Sequence, residues 1–134
     1  VMVMSDVRAA RQDIRPLLVE GAEQAGTTLL PAVKRCRSLA EARGELEAGE
    51  RRRVVLHPSG STLVTDVLSA GSAATPPAGI VLAVGSERGW AETELGELME
   101  SGYKPAHLGP RTLKTETAAL IAAWTAVTSL HSRT

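Results

Sequence analysis

Phenylalanine is absent from this chain of 134 residues, and its only aromatics are Trp90, Tyr103 and Trp124. So few rings leave no platform on which successive bases of a single strand would stack. One cysteine, Cys36, excludes an internal disulfide and a cysteine-rich zinc site, and a lone thiol points to a reducing compartment. His57, His107 and His131 stand far apart with no ligand spacing, so no metal is expected. No apolar run approaches the ~20 residues that cross a bilayer, so no membrane is expected either. An excess of one charge is missing too. Fifteen Lys and Arg balance fifteen Asp and Glu. No global field draws in a polyanion, and any RNA binding must rest on a local patch or a second domain.

What is present fits one domain with a single real core, since 43% of residues are hydrophobic. The opening "VMVMSDVR" has no basic leader, and its abrupt apolar start reads as a strand already under way. The chain is therefore expected to be a fragment, or the ordered part, of something longer. A helix should follow in "DIRPLLVEGAEQAG", with Asp13 as N-cap, Pro16 in the first turn and Gly26 as the stop. "TLLPAV", residues 28–33, reads as a short extended segment. "SLAEARGELEAGE" opens with the capping-box pair Ser38 and Glu41 and predicts a second helix. "VVLH" is an apolar strand. Residues 66–79, rich in Gly, Ser, Ala and Pro, form an internal loop preceded by a helical turn over 61–68. "GIVLAVG" is apolar throughout, the mark of a parallel strand covered on both faces. "AETELGELMESG" is a helix stopped at Gly102, "YKPAHLG" a strand, and a final helix starts at Thr115.

Strands alternating with helices predict an α/β domain: an open parallel sheet with helices on both faces. Ligands of such sheets bind beyond the carboxyl ends of the strands. Three strand ends carry unusual residues, "LHPSG" at 56–60, "VGSERGW" at 84–90 and "LGPRTLKTET" at 108–117. All three should converge on one edge, and the site is expected there.

Gly85 and Gly89 frame a tight turn in which backbone can approach a ligand. The turn carries neither a dinucleotide fingerprint nor a P-loop lysine, which argues against nucleoside triphosphates. Leu108 and Gly109 can offer backbone N–H and C=O groups to an adenine edge. Arg111 and Lys114 can neutralise a phosphate or orient a carbonyl. Glu116 can steer a proton or simply favour the positive helix end. Thr115 or Thr117 can equally be a helix cap, and His57 before Pro58 reads as a turn histidine. In the last helix Leu120, Ile121, Trp124 and Val127 recur at helical spacing beside Ala119, Ala122, Ala123 and Ala126. The alanines suit either a close dimer seam or plain helix formation.

"LAVGSERGWAETEL…GYKPAHLGPRTLKTETAAL" closely resembles the C-terminal half of the RsmE family, which writes this region as G-P-E-G-G-F or G-P-E-R-G-W and then L-G-x-R-x-L-R-T-E-T-A. "EGAEQAG" and "VVLHPSGS" resemble two further family segments in the right order, so the likeness covers roughly residues 14–127. The resemblance implies a SPOUT fold with a C-terminal trefoil knot over the whole of residues 1–134, and a homodimer. It implies an enzyme that uses S-adenosylmethionine to methylate N3 of a uridine in small-subunit ribosomal RNA, in the cytoplasm or, in a eukaryote, an organelle. By the same resemblance Leu56, Val84, Gly85, Glu87, Gly89, Leu108, Gly109, Leu113 and Thr115 bind the cofactor. Arg111, Lys114 and Glu116 face the RNA and the transferred methyl group. The chain departs from the family at Ser86 (usually Pro), Lys114 (usually Arg) and Ala91 (usually Ser or Thr). The family's N-terminal RNA-binding barrel and first helix are not in the sequence. The alternative is a diverged SPOUT module that binds cofactor or a partner without methylating RNA.

Overall fold

The computed structural model describes residues 2–4, 14–46, 48–70 and 78–131. The elements run β1 (Met2–Met4), α1 (Arg15–Ala25), α2 (Leu39–Leu46), β2 (Arg52–Leu56), α3 (Val64–Ser69), β3 (Ile80–Val84), α4 (Glu92–Glu100), β4 (Lys104–Ala106) and α5 (Thr115–His131). The strands form one sheet in the order β1-β3-β2-β4, and every pairing is parallel. Val54 is aligned with Leu82 on one side and Lys104 on the other. Pro105 lies on the edge strand β4, where its missing N–H breaks no ladder between two neighbours.

The apolar runs of β2 and β3 place alternate side chains on opposite faces of the sheet. Val54, Leu56, Leu82 and Val84 join Val64, Val67 and Leu68 of α3 and Ala119, Ala122 and Ala126 of α5. Val55, Val81 and Ala83 turn the other way, onto Leu46 of α2, Leu98 of α4 and Tyr103. Helices therefore cover both faces, as the sequence predicts. Val54, Val55 and Val81 are sealed from solvent, and burying each contributes about 1.5–3 kcal/mol.

Local signals set three of the helix ends. Gly26 closes α1 in the left-handed conformation at φ 64°, with Thr27 N–H bonded to Ala22 O at 3.0 Å. The N-cap position of α1 is Ile14, and Asp13 lies outside the described residues. Ser38 Oγ accepts the Glu41 N–H at 3.1 Å, while the Glu41 carboxylate accepts from Arg37 N–H at 2.8 Å, one residue before the usual capping-box donor. At α4 half a box survives: Glu94 accepts the Ala91 N–H at 3.0 Å, but alanine has no oxygen to offer in return.

Three expectations are corrected. The segment 28–33 is not extended sheet. Residues 27–36 form no regular element, and Leu29 is 81% exposed. An apolar run makes a strand only where a sheet edge receives it, and none pairs with this one. The internal loop does not start at residue 66, because Val64, Val67 and Leu68 bury one side of α3 and extend the helix to Ser69. Of the remainder, residues 71–77 lie outside the described residues. In α5 the alanine face is no seam. Ala119, Ala122 and Ala126 pack into the core, while Leu120 and Trp124 stand 73% and 69% exposed. Small side chains let α5 lie close on the sheet and turn the large ones outward.

Candidate functional site

The carboxyl ends of β2, β3 and β4 run into three loops that share a cleft of about 780 Å³. Its walls are residues 56–59, 84–90 and 106–115, with Ala118 of α5 behind them. Three cations, Arg88, Arg111 and Lys114, and one carboxylate, Glu87, line it. A chain with no net charge thus concentrates positive charge at this rim.

The middle loop is a tight turn closed by Gly89 N–H to Ser86 O at 2.9 Å, with Gly89 at φ 76°. Trp90 then folds back, and its indole N–H donates to Leu56 O at 3.1 Å. That bond ties the loop after β3 to the end of β2. Gly85 makes room for it, since a Cβ there would sit 3.1 Å from the indole nitrogen. The first loop is stitched to β4 by His57 N–H to Ala106 O at 3.0 Å and His107 N–H to Thr62 O at 2.9 Å. Gly60 crosses the β4 backbone so closely that a Cβ would lie 2.9 Å from Ala106 Cα.

Two histidines fold onto the loops that follow them. His57 Nδ1 accepts the Ser59 N–H at 3.2 Å and lies 2.7 Å from Ser59 Oγ. His107 Nδ1 accepts the Gly109 N–H at 3.1 Å. Gly109 sits at φ 138°, a conformation nearly closed to other residues. Its N–H is therefore already satisfied by His107, whose Nδ1 also lies 3.2 Å from the Gly109 carbonyl oxygen.

Leu56, Val84, Gly85, Glu87, Gly89, Leu108, Gly109, Leu113, Thr115, Arg111 and Lys114 all line the cleft. Glu116 does not. It is exposed in the first turn of α5, where a carboxylate suits the positive helix end. The helix starts with Ala118 N–H to Lys114 O at 2.8 Å, so Lys114 holds the cap position and Thr115 and Thr117 already lie inside the helix. Sequence reasoning passed over Ser59, Trp90 and His107. A polar side chain two residues before a serine or glycine, at a strand end, was the available signal for the histidine turns.

The model of the RNA methyltransferase domain family matches residues 4–127. The ribosomal RNA small subunit methyltransferase E of Treponema pallidum is 32% identical over 127 residues, covering 92% of this chain and 46% of that protein. The enzyme of the same name from Buchnera aphidicola is 37% identical over 71 residues, which are 53% of this chain and 26% of that protein. A ribosomal RNA small subunit methyltransferase E of Neisseria gonorrhoeae, solved with S-adenosyl methionine bound, superimposes with a TM-score of 0.69 at 29% identity. That match covers 91% of this chain and 50% of the other. The fold and site define an RNA methyltransferase domain, and the chain belongs to that family. Within it, this is a member of the RsmE family. The chain spans about half the length of the Treponema and Neisseria relatives.

Proposed function

We propose that this chain is the catalytic domain of a methyltransferase that uses S-adenosylmethionine to methylate N3 of a uridine in small-subunit ribosomal RNA. One observation carries the reading: the three strand-end loops singled out in the sequence line a single cleft. Its volume suits a nucleoside-sized ligand. Its wall combines apolar side chains, Leu56, Val84, Leu108 and Leu113, with glycine-rich turns at Gly85, Gly89 and Gly109. These residues fit the cofactor, which when bound supplies an electrophilic methyl group on a sulfonium.

The chain's own residues orient and polarise. Uridine N3 must lose its proton before or as it attacks, which leaves negative charge on the uracil oxygens. Arg111 is the first cation to stabilise it and Lys114 the second. Glu116, exposed in the first turn of α5, is the candidate proton acceptor. In this reading the segment after β4 is threaded as a trefoil knot, a rare exception to unknotted connections. The outward face of α5, Leu120, Ile121, Trp124 and Val127, pairs two copies into a homodimer. The assignment to the cytoplasm rests on the family alone. The test is incubation with unmodified small-subunit ribosomal RNA and the methyl donor, followed by mass spectrometry of the nucleosides. N3-methyluridine is expected. Its absence with folded, cofactor-binding protein would favour a module that binds without methylating.

A further inference from the structure

We propose that His57 is a catalytic hydrogen-bond donor in this cleft, with Ser59 as the residue that fixes its proton. The inference rests on the methyltransferase reading above and adds a group to it. Ser59 N–H can only donate, so Nδ1 of His57 is the acceptor of the ring, and the Ser59 hydroxyl donates to the same nitrogen. The proton of the neutral imidazole therefore sits on Nε2. No hydrogen bond to Nε2 exists among the described residues, and the half-buried ring lines the cleft. A donor N–H held in place by two bonds at the far side of its ring, and left without a partner, suits an acceptor oxygen on the substrate.

The reaction supplies that oxygen. The N3 proton leaves toward Glu116, and the N3 electron pair forms the new bond to the methyl carbon. The carbon–sulfur bond breaks with its pair going to sulfur, which yields N3-methyluridine and a neutral thioether. Throughout, charge builds on the uracil carbonyl oxygens beside N3. Arg111 and Lys114 are exposed, so water screens them and their long side chains must be ordered first. His57 needs no such ordering. A preorganised donor aimed where charge develops is the more effective kind of stabiliser. The Nδ1 lock also means that His57 is not the base.

The test combines imidazole nitrogen NMR on the full chain with single-turnover methylation of small-subunit ribosomal RNA and calorimetry with S-adenosylmethionine. The parent should show a protonated Nε2 and a bare Nδ1 for His57. His57→Leu should lower the methyl-transfer rate about 10²–10³-fold with cofactor affinity unchanged. His57→Gln, which keeps a donor, should recover part of the rate, and Ser59→Ala, which loses the hydroxyl but keeps the backbone N–H on Nδ1, should leave the proton on Nε2 and lose less rate than His57→Leu. A proton found on Nδ1, a His57→Leu variant as fast as the parent, or a rate loss matched by lost cofactor affinity would each overturn the proposal while the methyltransferase reading stood. A parent that binds cofactor but methylates nothing would overturn both.

Discussion

Replacing Gly60 with alanine isolates the contact at which the loop after β2 crosses β4. The new Cβ would lie 2.9 Å from Ala106 Cα and 3.0 Å from its N and C atoms. Carbon atoms rest at about 3.5 Å or more, so the backbones must part by roughly 0.6 Å. Both are main chain, and no flexible side chain can yield instead. The same movement stretches the His57 N–H to Ala106 O bond from 3.0 Å to about 3.6 Å, beyond hydrogen-bonding range. Overpacking costs about 1–3 kcal/mol and the lost bond about 0.5–1.5 kcal/mol. The stiffer unfolded chain returns about 0.4–1 kcal/mol. The net expectation is a loss of roughly 0.5–4 kcal/mol, read as the shift in urea midpoint at constant slope. Gly44→Ala in α2 is the control, because its Cβ meets nothing within 4 Å. It should gain about 0.5–1 kcal/mol. Equal stability of Gly60→Ala and parent would refute the close crossing of the first loop over β4.

Four further outcomes are expected. Trp90→Phe removes the indole N–H from Leu56 O and should cost about 0.5–1.5 kcal/mol by urea unfolding, with weaker cofactor binding by calorimetry. Trp124→Glu, on a side chain 69% exposed, should leave the fold intact by circular dichroism and give monomers in sedimentation if α5 forms the dimer face. Gly85→Ala presses a Cβ onto the Trp90 indole and should shift tryptophan emission as well as lower stability. The Lys34 ammonium donates to Glu45 and is held above the ordinary lysine value by that bond. The contribution that follows from the raised Lys34 value is present at neutral pH and is lost as alkaline pH passes that value. Since both side chains are exposed, Glu45→Gln should leave the midpoint at pH 7 almost unmoved.

The parts of the fold legible in the sequence are those in which one local rule decides. Residues 80–84 are apolar without a break because both faces of β3 are covered, and the Ser38–Glu41 pair announces α2 through two backbone donors. The convergence of three strand ends followed from parallel topology alone. Residues 28–33 misled because their apolarity matches a strand, while pairing depends on an edge that no local pattern reveals. The faces of α5 were ambiguous for a related reason. Alanine and leucine rows are equally periodic, and only the closeness of α3 and the sheet decides that the small row goes inward. The His57 and His107 turns, and the loss of the Gly109 N–H to His107, depend on loop geometry that spacing does not encode.

Calorimetric titration of the chain with S-adenosylmethionine, in parallel with Gly109→Val, tests the central claim most directly. Gly109 meets no neighbour that a Cβ would strike, so valine acts through its φ of 138° and through the methyl groups it adds to the cleft wall. The account predicts saturable binding at one site per chain in the parent, and its loss in a variant that is still folded by circular dichroism. A folded parent that takes up no cofactor, or a variant that binds as tightly as the parent, would contradict it.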